Sequence, residues 1–402
     1  MNTSRLLSLF FLVSFFLNTS AQNSTNTPAS MFGIGDISMG VAGKYVGMGG
    51  VGIALRSDNF LNSLNPSALT AMDSAKFVYE AGANLSFEKY TSRERSTSAV
   101  TGNVRNLGMG CRILPSWYAA VGITPLSSMG YAVTIDQPVE GTDGNTISSL
   151  FEGSGGLSKI YLSNAFKLSK RFSLGANLSY ILGNTTQSEV QGNTTIKEIS
   201  YKKAFYADFG LQYVTALNKK WNMTLGGIYG YKQQLNLNNA KTIINSSNSE
   251  TITEYLNPKS QFLPQFFGGG IALNNKRLTL TADYKYSQWS KMKSSNSSVS
   301  FNDQQQLNFG ADLLSKNVYS NTWHFMVGTG LSSSYVVIKD QKPLNYYIST
   351  GLGIPVMTGN LLSVGFKYNS QCGANTNIEK NQSFSLFLNI TFSERTPRSK
   401  IY

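Results

Sequence analysis

The stretch "VGMGGVGIAL", residues 46 to 55, sets Gly47, Gly49 and Gly52 in the order G-x-G-x-x-G. That is the spacing of a phosphate-cradling turn, and an acid, Asp73, follows at about the twenty-residue distance at which such a site binds ribose. The chemistry would be hydride transfer on a nicotinamide cofactor. It requires a strand before the loop, a long helix after it and a second, parallel strand. Here the glycines lead to Asn65-Pro66, which would stop the short helix that Asn59 to Leu64 could form, and then to segments that read as antiparallel hairpins. No βαβ unit follows. The glycines therefore read as tight turns and points of close backbone approach.

Other chemistry is scarcer still. Hydrolysis needs a nucleophile, a base and a group to orient the base. The only histidine is His324, beside Trp323, and Asp208 and Asp283 lie far apart without the spacing of an acid/base pair. Cys111 and Cys372 can pair or stay free, but two thiols cannot make a four-thiolate metal site. Asp58 and Asp73 read as turn and cap residues. The expectation is no catalytic residue, no metal and no cofactor. Net charge is +13, from 34 Lys and Arg against 21 acids. No basic run after residue 21 exceeds two adjacent residues (Lys202-Lys203, Lys219-Lys220), so the charge reads as turns and loops beside anionic lipid and not as a nucleic-acid surface.

The elements that carry these residues set the class. Residues 1–21 read as a cleaved secretory signal, with Arg5, an apolar core from Leu6 to Leu17, and Thr19-Ser20-Ala21 before Gln22. Charged residues are 14%, aromatics 12% and glycines 37 in number, which fits a chain half in lipid and half in water. No later segment offers the roughly 18 consecutive apolar residues of a membrane helix. From residue 76 the period is two. Phe172, Leu174, Ala176, Leu178, Tyr180 and Leu182 alternate with Ser173, Gly175, Asn177, Ser179 and Ile181. Leu278, Leu280, Ala282, Tyr284 and Tyr286 alternate with Thr279, Thr281, Asp283 and Lys285. Asp208, Asp283 and Asp312 at mid-strand suit a wet lumen. Aromatics at strand ends (Phe172, Trp221 and Phe392; Tyr180, Tyr231, Tyr286, Trp289 and Tyr368) suit two interfacial girdles, and connections alternate short and long. The fold class expected is all-β: a transmembrane antiparallel β-barrel of about 14 strands over 76–393, with residues 22–75 as an N-terminal hatch in the lumen and 394–402 as a short tail. Closure is demanded because an open edge cannot be satisfied in hydrocarbon.

At this point the chain resembles the FadL/TodX outer-membrane transporters, in their Bacteroidetes form. The resemblance lies in "GMGGVGIALRSDNFLNSLNPSALTAMD", with Gly47, Gly49, Gly50 and Gly52 followed by Asn65, Pro66, Ser67 and Ala68; in "VGITPLSSMGY" (Val121 to Tyr131); and in "LPQFFGGGIAL" followed by "TADYKYSQWS". It implies passive movement of a hydrophobic small molecule, a long-chain fatty acid or an aromatic hydrocarbon, with outer-loop capture and lateral release at a kink in the third strand. Pro125 has no backbone N–H and breaks the ladder there, and Gly122 and Gly130 flank it. Ile147, Leu150 and Phe151, in the connection expected near 139–159, are candidates for capture. Arg112 and Lys159 are candidates for contact with a carboxylate headgroup. Implied partners are the ligand, outer-membrane lipid and lipopolysaccharide, and the barrel assembly machinery that reads the last strand ending near Phe392; the protein is expected to be a monomer. Two alternatives remain: an accessory barrel of type IX secretion, and a general porin, which the hatch opposes.

Overall fold

The computed structural model describes residues 27–38, 43–74, 76–91, 96–138, 146–256, 260–292, 297–315, 322–338, 342–357, 360–372 and 380–395. The expected signal at 1–21 lies outside them. Fourteen strands close into an antiparallel barrel: β1 (Lys76–Thr91), β2 (Ser96–Leu114), β3 (Trp117–Pro138), β4 (Thr146–Lys167), β5 (Phe172–Gln191), β6 (Thr194–Ala216), β7 (Asn222–Gly230), β8 (Phe266–Asn274), β9 (Leu278–Ser287), β10 (Gln304–Leu314), β11 (His324–Ser333), β12 (Leu344–Met357), β13 (Asn360–Cys372) and β14 (Lys380–Arg395). Each pairs with its neighbour, and β1 pairs with β14 from Phe77↔Glu394 to Tyr90↔Asn381. The alternation read from sequence is the wall itself. On β5, Leu178 is 53% exposed on the lipid side while its neighbour Asn177 is fully buried. A bilayer accepts such a surface because every backbone group is paired within the ladder.

Three connections differ from expectation. β5 and β6 run on past 184–199 and meet at a two-residue turn whose Gly192 has φ +55°. Near 234–258 the chain folds as a hairpin, Asn236–Asn245 with Glu250–Leu256, that extends the sheet from the outer half of β6. Near 139–159, residues from Thr146 already belong to β4. Two proposed girdle aromatics also turn inward: Trp289 is 3% exposed, and Tyr231 packs against the same internal cluster. Cys111 is a free thiol near the short-turn end of β2, whereas Cys372 closes β13 at the opposite end.

Residues 43–72 lie inside the wall. A buried irregular chain must find partners for its peptide groups. The barrel supplies them from all round its circumference. Asp283 of β9 accepts from the N–H groups of Gly52 and Ile53, at 2.6 and 2.8 Å. Gln212 of β6 donates to the carbonyl of Ile53 at 3.0 Å. Tyr347 and Ser349 of β12 donate to the carbonyls of Gly49 and Gly47, and Ser349 also accepts from the N–H of Gly49. Glu80 of β1 accepts from Leu61 N–H at 3.0 Å. Asp312 of β10 is held by His324 at 2.9 Å and by Lys44 of the inner segment at 3.7 Å. Asp283 and Asp312 thus hold the inner chain and do not line an open aqueous bore, whereas Asp208 faces a cavity.

The glycines complete this fit. Gly49 and Gly50 both have φ +74°, which a side chain would strain. Opposite them the wall is also bare: a Cβ on Gly328 of β11 would stand 2.1 Å from Gly49 N, and one on Gly226 of β7 would stand 2.2 Å from the Ile53 carbonyl oxygen. Asn65-Pro66 does not stop a helix at 59–64. It starts a 3₁₀ turn over Pro66–Ala71, with the Asn65 side chain accepting from Ser67 N–H at 3.2 Å. Proline at the first helical position loses nothing, because that N–H has no helical partner.

Gly328→Val therefore forces the wall and the inner chain apart. Overpacking of this kind costs about 1–3 kcal/mol. The variant is expected to melt at lower temperature in detergent and to lose protease resistance in residues 43–72. Gly269→Val, at an outward site with nothing within 4 Å, is expected to leave both unchanged.

Candidate functional site: a parting between the second and third strands

β2 and β3 pair only from Leu114↔Trp117 to Leu107↔Ile123. Above that point, among the fourteen wall strands, β2 continues with β1 alone and β3 with β4 alone. Each parting strand carries an extra residue. On β2, Asn106 faces Gly82 and Val104 faces Ala83, so Arg105 is bulged out of register. On β3, Pro125 faces Ser158 and Ser127 faces Leu157, so Leu126 is the extra residue. A one-residue insertion flips the faces. Below the bulge Ala120 and Thr124 point inward; above it Ser127, Met129 and Tyr131 do. Thr124 Oγ1 bridges the break at its base, donating to the Arg105 carbonyl at 3.1 Å.

The exposed edge of β3 is not left bare. A two-residue strand of the N-terminal segment, Asp36–Ile37, pairs with it as Asp36↔Ser128 and Ile37↔Ser127. Ser38 N–H donates to the Leu126 carbonyl at 2.9 Å, and Gly130 N–H donates to Ser30 Oγ at 3.2 Å. The Asp36 carboxylate accepts from Thr27 N–H and Oγ1, which clips the start of the segment onto this strand. The wall is thus patched by a piece of chain that is not part of it.

Behind the patch lies a cavity of about 130 Å³, lined among others by Ile34, Leu126, Ile181, Ile228, Phe266 and Trp289. Its polar corner holds Lys159, whose Nζ is 3.4 Å from Asp208 Oδ2, with Asn177 donating to Asp208 Oδ1 at 2.6 Å. Outer connections fold over the top. Val299–Phe301 pairs with Val336–Ile338, the Tyr335 ring lies tilted against Trp289 and stacked on Phe301 (ring centroids 4.4 and 6.1 Å away), and its hydroxyl donates to Gly35 O.

The residues singled out from sequence fall into separate places. Gly47, Gly49, Gly50, Gly52, Asn65 and Pro66 lie in the inner segment. Gly122 lies one residue below the last β2–β3 pair, Pro125 at the bulge, and Gly130 against Ser30. Lys159 faces the cavity. Arg112 does not join it: its guanidinium donates to the carbonyls of Leu114 and Pro115 at the short β2–β3 turn. Ile147, Leu150 and Phe151 belong to β4, and because successive side chains alternate, Leu150 points away from the other two. They are not one loop cluster. Sequence reading missed the Arg105 bulge and the strand Asp36–Ile37; two residues carry too little periodicity to be seen. Among the described residues no group of three or more His, Cys, Asp or Glu is placed to hold a metal ion.

This architecture has close relatives in shape. The toluene transporter TodX of Pseudomonas putida superposes with a TM-score of 0.61 at 13% identity, over 90% of this chain and 99% of that one. The monoaromatic hydrocarbon channel CymD gives 0.59 at 15%, over 89% and 99%. A FadL homologue of Pseudomonas aeruginosa gives 0.58 at 14%, over 88% and 98%. At these identities the likeness is one of fold. No curated protein matches the sequence. A family model described as BamG matches residues 4–398, nearly the whole chain, and the chain belongs to the BamG family.

Proposed function

We propose that this protein is an outer-membrane channel for hydrophobic small molecules, exported through its N-terminal signal, with residues 43–72 as a fixed hatch and the Asp36–Ile37 strand as a movable patch over a lateral exit. The observation that carries the reading is the parting of β2 from β3 directly beside an apolar cavity. A wall break in hydrocarbon exposes unpaired backbone and is retained only where something passes or binds. The cavity's size fits the chemistry: an apolar hole of about 150 Å³ takes up benzene. A ligand reaching the cavity leaves between Leu107 and Leu126 into the outer leaflet without crossing water. Lys159 stands where it meets a carboxylate, and a long acyl chain requires the patch to withdraw. The structural neighbours TodX, a toluene transporter, and CymD, a monoaromatic hydrocarbon channel, agree with this class of cargo.

A second reading, an accessory barrel serving another protein, is favoured by the outer hairpin. Among the described residues its strand Glu250–Leu256 pairs on one side only, with Asn236–Asn245, and Ile252 and Tyr255 are 54% and 79% exposed. Such an edge accepts a further strand from a partner.

Two measurements separate these. With Cys111 and Cys372 replaced by Ser, Ile37→Cys and Ser127→Cys sit as direct partners across the patch. Oxidation is expected to slow entry of a hydrophobic fluorophore into proteoliposomes by about tenfold, and reduction to restore it, as when a lid sets the rate. Equal rates in both states would remove the patch from the mechanism. A photo-crosslinker at Tyr255 is expected to give no stoichiometric protein adduct in intact cells; one defined adduct, with uptake unaffected by the lock, would favour the accessory role.

A further inference from the structure

The chain that leads into the patch is held from two sides. On one side Gly35 backs onto the edge of β3, where a Cβ would stand 2.6 Å from the Ser128 carbonyl oxygen. On the other, Gly33 backs onto Tyr335, where a Cβ would stand 3.0 Å from the phenolic oxygen. Both glycines have positive φ, +68° at Gly33 and +91° at Gly35, so a side chain at either would be strained as well as crowded. Three side chains then hold the segment by alternate carbonyls. Gln187 of β5 donates to Met31 O at 3.0 Å, Gln261 donates to Gly33 O at 3.3 Å, and Tyr335 donates to Gly35 O, immediately before the Asp36–Ile37 strand.

Tyr335 differs from the two glutamines in what its other end touches. Its ring packs on Phe301, and Phe301 is the register partner of Val336, the next residue in the chain. That pair belongs to the ribbon in which two outer connections meet, the one between β9 and β10 and the one between β11 and β12. Asn302 N–H also donates to the Tyr335 carbonyl at 2.9 Å. Trp289, on the other side of the ring, lines the apolar cavity. The ribbon residues Val299 and Val336 share one buried cluster with Ile34 of the N-terminal segment and with Leu157 and Ile181 of the wall. The groups that close the cavity toward the outside and the strand that covers its lateral side therefore meet at one phenol. Close-packed interiors pass between discrete arrangements and do not deform continuously. Parting the two connections takes Phe301 from the Tyr335 ring, and a ring that follows takes its hydroxyl from Gly35.

We propose that Tyr335 is a positioning residue that couples the outer ribbon to the lateral patch, so that the entrance and the exit of the cavity open together and close together. The inference rests on the channel reading above and names how its exit is regulated. The two doors form one two-state element. A cargo that parts the ribbon lowers the cost of freeing the patch from β3, and by linkage a patch freed from β3 loosens the ribbon by the same factor. This sign is opposite to that of alternating access, in which one door shuts as the other opens. It suits passive movement, because one closed state seals the cavity on both sides.

The test uses the full chain in proteoliposomes, with Cys111 and Cys372 replaced by Ser. Ser300→Cys and Val337→Cys are direct register partners and lock the ribbon on oxidation. Amide hydrogen exchange in residues 33–38, read by mass spectrometry, reports how often the patch opens. The ribbon lock is expected to slow that exchange about fivefold, the low end of such couplings, and reduction to restore it. The reverse lock, Ile37→Cys with Ser127→Cys, is expected to slow exchange in residues 336–338 by the same factor. Tyr335→Phe keeps the ring and its packing and removes only the donor. It is expected to speed exchange in residues 33–38 and to abolish the effect of each lock on the other door. Gln261→Met removes a bond to the same segment away from the ribbon; it is expected to speed exchange there and to leave both lock effects in place. A ribbon lock without effect on residues 33–38, or an effect that survives Tyr335→Phe, would overturn the coupling. Fluorophore entry indifferent to both locks, with the exchange coupling as expected, would overturn the channel reading and leave the coupling standing.

Discussion

A peptide chain enclosed in a barrel has no solvent to satisfy its N–H and C=O groups, so the wall must do it. This requirement governs the molecule. The carboxylate of Asp283 between the N–H groups of Gly52 and Ile53 is its clearest expression. A carboxyl oxygen shared by two backbone donors in a low-dielectric space makes strong bonds, and a buried N–H left unpaired is expensive. The same demand explains why the inner faces of the strands are polar although the lumen is filled, and why glycine appears on both sides of the contact. Side chains long enough to reach a backbone need a backbone close enough to be reached.

The wall break obeys the same rule in a second form. Where β2 leaves β3, the freed edge must be satisfied locally, and the chain does so with its own N-terminal residues. The two solutions differ in strength. Residues 43–72 are held by side chains from most of the circumference and fitted against bare wall. The patch meets the wall through two register pairs with β3, and its flanks are held by the Thr27–Asp36 clip, Gln187, Gln261 and Tyr335. Local stability follows contact density, and the ladder that joins the patch to β3 is the shortest in the wall's repair.

This division was only partly legible in the sequence. Alternation such as Ser173-Leu174 through Ser179-Tyr180 states half-buried antiparallel strands openly, and aromatics at strand ends with connections alternately short and long turn that reading to a barrel. Proline at 125 marked the third strand for the same elementary reason. The partner bulge at Arg105 carried no mark, since any residue can be inserted there and arginine is not a strand breaker. Asp283 and Asp312 read, by type alone, as signs of water. Their types were right for a polar inner face, but type alone cannot tell whether the acceptor meets solvent or a peptide group. Asn65-Pro66 was read as a stop and is a start: proline forbids a helix behind it and favours one ahead. Ile147 to Phe151 looked like a loop because the glycines at 153, 155 and 156 interrupt the alternation while the strand runs through them.

Fold and family point in the same direction without being the same evidence. A shared fold at about 13–15% identity carries architecture, and function resides in sites placed upon it. The features of this chain that bear on function are therefore its own: the parting of β2 from β3 with the strand that covers it, and a hairpin that extends the sheet from β6 to an exposed edge. A channel and an accessory barrel make opposite demands on the interior. The first must let the patch leave its strand; the second gains from a lumen that never opens. A patch joined to β3 by two register pairs, and not by a continuous ladder, is what the first demand asks for.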